Sequence, residues 1–156
     1  MTDLAELMDA AEALARGYLA KVDEVGPAVL VQFPSGETGL LALEWGNDQD
    51  KALRLAALRL LFRETGVTAY ALWSECWMAS HVVKAGEPPP DPAKWKGVMP
   101  RDNPERVDAL ILIGAEKGRP AVIRSYRKVK RAGGATLEPL LDGPDRAAGR
   151  LTDLLA

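Results

Sequence analysis

The chain has 156 residues, of which 47% are hydrophobic and 27% are charged. This length and composition are typical of one soluble globular domain, and they exclude a disordered chain and two full-sized domains. The formal net charge of −2 argues against wholesale binding to nucleic acid or to an acidic membrane, but it leaves room for a local basic patch.

The cellular location and the cofactor content follow from a few residue types. No stretch approaches the roughly 18 apolar residues that a membrane-spanning helix needs. The first residues include acidic side chains where a signal peptide has basic ones, so we expect a cytoplasmic protein. The only cysteine and the only histidine are Cys76 and His81, which exclude an internal disulfide and a thiolate–imidazole zinc cluster within one chain. We therefore expect no metal and no other cofactor.

The first part of the chain predicts a helix and then a hairpin. Apolar residues recur at three- and four-residue spacing over residues 3–25, which predicts a helix with Thr2 or Asp3 as its N-cap. The segments AVLVQF (28–33) and GLLALEW (39–45) flank the turn cluster PSGET, and this pattern predicts two strands of a hairpin.

A second helix is predicted from the cap residues at 47–50 to a stop at Gly66. It has two apolar faces, and a helix of this kind needs cover on both. One face carries Leu53, Ala56, Ala57, Leu60 and Leu61, and the other carries Leu55, Leu58 and Phe62. We expect one face to lie on the sheet and the other on the first helix or on another subunit.

The segment VTAYALW (67–73) is apolar on both alternating faces, which predicts a central strand. The preceding helix would then form a crossover, right-handed if the strands that it joins are parallel. A proline-rich loop is predicted at about 79–106, because proline denies the chain regular structure.

The remaining segments complete a fold of the α+β class. Residues 107–131 predict two strands joined at EKG, and the glycines at 133–134 break the chain. A short C-terminal helix is predicted at about 144–155, with Leu151, Leu154 and Leu155 as its contact face. The order α-β-β-α-β-loop-β-β-α predicts a single domain over residues 1–156, with packed helices on a mostly antiparallel sheet of about five strands.

Polar side chains follow the predicted central strand directly. In open sheets, ligand sites collect beyond strand ends, which makes Ser74 and Glu75 candidates for a site. Strand alternation places Glu75 on one face with Trp73 and Trp77. A carboxylate between two indoles would be partly desolvated, which would raise its pKa and make Glu75 a candidate acid or base.

A structural role for Glu75 is the alternative. The carboxylate then either reaches water at the strand end or pairs with an arginine, for which Arg106 and Arg124 are the candidates. In the catalytic interpretation the same arginines would clamp an anion, and the proline-rich loop would close over the pocket as a lid.

Cys76 and His81 suggest a thiolate–imidazole pair. Five residues of extended strand span roughly 16 Å, so the pair closes only if the chain bends after Met78. The favoured interpretation is that Cys76 is a small core residue and that His81 is a surface or loop residue.

The segment RSYRKVKR (124–131) interleaves basic residues with a tyrosine, a pattern that can hold a nucleic-acid backbone and stack a base. Alternation places the charges on both faces of the strand, and such charges also protect an edge strand from pairing with a neighbour. The candidate nucleic-acid-binding residues are Arg124, Tyr126, Arg127, Lys128, Lys130 and Arg131.

The motif WSECWM (73–78), followed by MPRDNPERVDALILIGAE (99–116), resembles small uncharacterised bacterial and phage-associated proteins. These share a strand-end Ser-Glu-x-Trp-Met and a downstream Pro-x-Arg. The matching residues are Ser74, Glu75, Trp77 and Met78, then Pro104 and Arg106. The resemblance implies no particular activity, but it implies that the strand end pairs with Arg106.

Three functions are consistent with these patterns. We favour a self-associating binding or assembly module without catalytic activity, as a homo-oligomer and preferably a dimer, because the second helix and the terminal helix both need cover. The second is a small enzyme or ligand-binding protein with its pocket at the end of strand 67–75. The third is weak nucleic-acid binding through residues 124–131.

Overall fold

A computed structural model describes residues 3–22, 24–44, 46–79, 85–86, 106–140, 152 and 154–155, except for the side chains of residues 77–79 and of Arg106. Within these residues the helices are α1 (Leu4–Leu19) and α2 (Asp48–Thr65). The strands are β1 (Ala28–Gln32), β2 (Thr38–Ala42), β3 (Ala69–Ala79), β4 (Arg106–Glu116), β5 (Val122–Arg131) and β6 (Gly134–Pro139). They form one antiparallel sheet in the order β2-β1-β3-β4-β5-β6, so the predicted α+β fold is confirmed.

The sheet has one strand more than the five predicted. The glycines at 133–134 turn the chain but do not end the sheet. Gly133, at φ +79°, lies in the turn between β5 and β6. Strand β6 pairs with β5 from Arg131 opposite Gly134 to Tyr126 opposite Pro139. Leu137 is buried on this strand and contributes to the core.

The sheet separates two apolar clusters, one under each helix. On β3, Ala71 and Trp73 point toward α1, and Tyr70 and Leu72 point toward α2. This strand is therefore buried on both faces, as its apolar sequence predicts. Strands β2 and β3 are both antiparallel to β1 and so run parallel to each other, with α2 as the connection between them.

Helix α1 begins as predicted but ends early. Asp3 is the N-cap and forms a capping box with Glu6. The helix ends at Leu19, so the predicted extension to Val25 is wrong. The backbone N–H of Val25 donates to the side chain of Glu75 rather than to a helix carbonyl.

Helix α2 matches its predicted caps and its predicted faces. Asn47 accepts a hydrogen bond from the backbone of Asp50, and Gly66 closes the helix at φ +72°. The face with Leu55, Leu58 and Phe62 packs on the sheet, where the Phe62 ring lies 5.6 Å from that of Tyr70. The opposite face is exposed and is not covered by α1, which lies on the other side of the sheet.

Two predicted segments fall largely outside the described residues. The loop at about 79–106 lies between the end of β3 at Ala79 and the start of β4 at Arg106, and only residues 85–86 of its interior are described. Of the C-terminal helix predicted at about 144–155, only residues 152 and 154–155 are among the described residues. Leu154 is buried in the cluster under α2, so this leucine finds its cover within the chain.

Candidate functional site at the end of the central strand

Trp73 and Glu75 both hold the connection between α1 and β1. The indole N–H of Trp73 donates to the backbone oxygen of Gly26 at 3.1 Å. The Glu75 Oε2 atom accepts from the backbone N–H of Val25 at 2.6 Å. Alternation places both side chains on the α1 face of β3, as predicted, and from there they fix two successive residues of the connection.

Glu75 also forms an ion pair with Lys128. Its Oε1 atom accepts a hydrogen bond from the Lys128 ammonium, and that lysine side chain is only 7% exposed. Each carboxylate oxygen of Glu75 therefore has a partner within the fold. This is the paired state that the structural interpretation predicts for a partly buried carboxylate.

The partner of Glu75 differs from the one predicted. Arg124 does not reach Glu75, because it donates to Asp9 at 2.7 Å and lies 3.5 Å from Glu12. Both acidic residues come from α1, which packs above this part of β5. The backbone of Arg106 is the first residue of β4, opposite Ala79, and its side chain lies outside the described residues.

Trp73 is a core residue. It is 1% exposed, and its ring lies 6.3 Å from that of Tyr18 on α1. A ring packed in this way offers no surface to a ligand. The other predicted indole wall, Trp77, has a backbone position in β3 but a side chain outside the described residues.

Ser74 and Cys76 alternate to the opposite face of β3 from Glu75. The Ser74 hydroxyl donates to the backbone oxygen of Glu75 at 3.3 Å. Burial, together with the charge of Glu75, raises the pKa of Cys76 to about 11 despite the opposing charge of Lys51. The thiol is therefore protonated at neutral pH and is not an activated nucleophile. His81, the predicted partner of Cys76, lies outside the described residues.

A second polar cluster, which the sequence pattern does not predict, links α1 to β5. The Tyr126 hydroxyl and the Arg16 guanidinium both donate to Glu12, and Arg16 also donates to the backbone oxygen of Leu137 at 2.8 Å. Arg16 lies over the Tyr126 ring, 5.3 Å from its centre. The signal available in the sequence is the i,i+4 spacing of Glu12 and Arg16, which marks a helix pair but not its strand partner.

Two pKa values shift in this cluster. Burial and the hydrogen bond to Glu12 raise the pKa of Tyr126 to about 12. Burial alone would raise the pKa of Glu12, but the hydrogen bonds from Tyr126 and Arg16 outweigh it and hold that pKa below its usual value. The cluster therefore keeps a neutral phenol and an ionised carboxylate at physiological pH, with both groups engaged.

The six predicted nucleic-acid-binding residues do not share one surface. Alternation directs Arg124, Tyr126, Lys128 and Lys130 toward the α1 face of β5 and Arg127 toward the other, whereas Arg131 ends the strand and lines a pocket together with Lys130. Tyr126 is buried and has no ring face free for stacking on a base. Lys130 and Arg131 are exposed near the turn between β5 and β6.

Glu75 does not line any of three pockets on the surface of the described residues. One of about 390 Å³ lies between the start of α1 and the turn that joins β4 to β5. Another, of about 450 Å³, lies beside the start of α2. The third, of about 330 Å³, lies where the turn between β5 and β6 meets the end of α1.

The described residues offer neither a metal-ligand cluster nor a helix able to cross a membrane. In that part of the chain, no group of three or more histidine, cysteine, aspartate or glutamate side chains is placed to hold a metal ion. No helix there has both the length and the apolar character that crossing a bilayer requires.

No protein-family model matches the chain, and no curated protein or solved structure is significantly similar to it. The resemblance through residues 73–116 therefore stays a prediction. A function must be inferred from the arrangement of the described side chains.

Proposed function

We propose that the protein is a self-associating assembly module and that the exposed face of α2 is its interface. The observation that carries this proposal is the exposure of three leucines on that face: Leu53 is 65%, Leu60 56% and Leu61 44% exposed. They are half of the six large apolar side chains that are exposed among the described residues. An apolar patch on one rigid element is typical of a protein interaction site.

The position of this face supports an external partner. The sheet covers only the side of α2 that carries Leu55, Leu58 and Phe62, and α1 lies across the sheet. Within the described residues, nothing covers the side that carries Leu53 and Leu60. Leaving it exposed costs roughly 25 cal/mol for each Å² of apolar surface that a partner would bury.

A second copy of the chain fits this face. Ala56 and Ala57 are exposed between the leucines, and small residues at this position let two helix backbones approach closely. Leu53 and Leu60 are seven residues apart, the spacing that packs one helix against another. A two-fold axis near Ala57 brings the same leucines and alanines of both copies together, which makes the interface isologous.

The association is expected to be reversible. Helix α2 has 18 residues and so is about 27 Å long. A single helix pair of this length buries less than the roughly 1,200–2,000 Å² of a stable interface. We expect a monomer–dimer equilibrium that shifts with protein concentration. The single cysteine, which allows no internal disulfide, supports a cytoplasmic location for the module.

The solution mass of three proteins tests this proposal. Light scattering over a wide concentration range should give a mass for the wild type that rises toward the dimer. Leu60→Glu should remain a monomer, because it places a charge in the interface. Leu40→Glu is the matched control, since Leu40 is 43% exposed on β2.

The control should associate as the wild type does, and circular dichroism should show unchanged helix content in both variants. A wild type that stays monomeric at every concentration would refute the proposal. Equal loss of association in both variants would place the interface elsewhere.

A further inference from the structure

A cleft of about 330 Å³ lies where the turn between β5 and β6 meets the end of α1. Its lining consists of Lys21, Val22, Lys130, Arg131, Gly133 and Gly134. Three of these side chains are cationic and none is acidic. The cleft belongs neither to the strand end at Glu75 nor to the exposed face of α2.

Close backbone packing builds this cleft. A Cβ atom at position 134 would overlap the backbone oxygen of Leu19 and would lie 2.7 Å from that of Ala20. Only glycine lets β6 approach the end of α1 so closely. This approach sets Lys21, which follows α1, against Lys130, which alternates to the α1 face of β5.

The positive charge of the cleft is not neutralised by the described residues. Along β5, Arg124 pairs with Asp9, and Lys128 pairs with Glu75. In contrast, the residues directly across from Lys130 and Arg131 on β6 are Ala135 and Gly134. Lys21, Lys130 and Arg131 form no ion pair with another described residue. Three cations held around one cleft repel each other, and an anion between them removes that repulsion.

Tyr18, on the last turn of α1, is linked through its backbone to two residues that line the cleft. It is 43% exposed, and its backbone carbonyl oxygen accepts hydrogen bonds from the backbone N–H groups of Lys21 and Val22. Basic side chains beside an accessible ring form the usual platform for single-stranded nucleic acid, in which cations hold phosphates and a base stacks on the ring. Tyr126, the tyrosine within the basic segment of β5, is buried and cannot serve in this way.

We propose that this cleft binds the phosphate backbone of single-stranded nucleic acid through Lys21, Lys130 and Arg131, with Tyr18 as the stacking surface. The guanidinium of Arg131 supplies a fork that fits two phosphate oxygens, and the lysines supply point charges. The site does not depend on self-association, because all its residues belong to one chain.

Fluorescence anisotropy with a labelled oligothymidylate tests the proposal. At low salt we expect saturable binding, with a log–log salt slope of about −2 for three phosphate contacts on a single strand. The double variant Lys130→Gln, Arg131→Gln should bind roughly tenfold more weakly, with a shallower slope. Tyr18→Ala should weaken binding without changing the slope, since it removes stacking and no charge.

The matched control is Lys117→Gln with Arg119→Gln. It removes the same charge from the turn between β4 and β5, at the other end of β5, and should bind as the wild type does. The proposal would be overturned if the wild type showed no saturable binding. It would also be overturned if the control variant lost as much affinity as the Lys130→Gln, Arg131→Gln variant, because binding would then depend on net charge alone.

Inorganic pyrophosphate separates nucleic acid from small phosphate compounds as the source of the anion. We expect pyrophosphate to displace the oligonucleotide only at concentrations far above the oligonucleotide Kd. Displacement at or below that Kd would show a site for a small phosphate compound and would overturn the assignment to nucleic acid.

Discussion

Glu75, the candidate acid or base, makes structural contacts through both of its carboxylate oxygens. Its two oxygens bind the backbone of Val25 and the ammonium of Lys128. The carboxylate therefore joins three separate segments: the connection after α1, strand β3 and strand β5. Trp73 reinforces this link through its bond to Gly26.

We predict that Glu75→Gln lowers the free energy of unfolding by about 2 kcal/mol, the usual worth of a hydrogen bond to a charged group. The amide can still accept from Val25, but it no longer brings a negative charge to the nearly buried Lys128 side chain. Urea denaturation measures the change. Glu138→Gln, an exposed carboxylate on β6, is the control and should change stability by less than about 0.5 kcal/mol. Equal effects in both variants would contradict the role given to Glu75.

The Tyr126 cluster predicts a dependence of stability on alkaline pH. The pKa of Tyr126 rises from an ordinary value near 10 to about 12 on folding, so the folded state favours the protonated phenol. The stabilisation is then fully present below about pH 10 and is lost as the pH rises toward about 12. Denaturation of the wild type and of Tyr126→Phe across this range should show the stability difference between them shrinking. A difference that stays constant with pH would contradict the prediction.

The sequence predicted the shared face of Trp73 and Glu75, because alternation along a strand depends on local geometry alone. It did not identify Lys128 as the partner of Glu75, since that contact depends on β5 lying two strands from β3. The sequence did not identify the partner of Arg124 either, because Asp9 lies on α1 and meets Arg124 only through tertiary packing. The local pattern predicts which face of the sheet a side chain lies on, whereas its contact partners depend on the order of the strands.

At the scale of elements, β6 packs directly against the backbone at the end of α1, where Gly134 leaves no room for a side chain. We predict that Gly134→Ala lowers the free energy of unfolding by about 2 kcal/mol, because the new methyl group overlaps the Leu19 carbonyl and the backbone must move. Thermal denaturation measures the loss.

Gly17→Ala is the matched glycine substitution and should have the opposite sign. Gly17 lies within α1, and nothing lies within 4 Å of a Cβ atom at this position. Alanine there should stabilise the helix by about 0.5–1 kcal/mol. A stabilising Gly134→Ala would show that the junction is looser than described.

The elements were predicted most accurately where caps and periodicity agree. Asn47 and Gly66 bound α2 as the sequence indicates, and Asp3 begins α1. Strand β6 was missed because GATLEP is short and begins at the second of two successive glycines, a pair that indicates a chain break. Its pairing with β5 supplies the stabilisation that its own sequence does not signal.

At the scale of the whole molecule, the described residues cover the two sides of the sheet unevenly. Helix α1 lies close to β3, β4 and β6, whereas α2 uses one apolar face and exposes the other. The two faces of α2 were predictable from helical periodicity. What packs on the second face was not predictable, because the sequence of one chain does not show whether another helix of that chain or a second copy covers it.

Cross-linking through Ala57 tests self-association on this face most directly. Ala57 lies midway between Leu53 and Leu61, so a two-fold axis through the face brings both copies of residue 57 together, whether the helices run parallel or antiparallel. In a Cys76→Ser background, Ala57→Cys would be treated with a short bifunctional thiol reagent, with Leu40→Cys as the control. We expect Ala57→Cys to form a covalent dimer rapidly and Leu40→Cys to form little. Equal rates for the two variants, or no dimer through residue 57, would contradict the proposed interface.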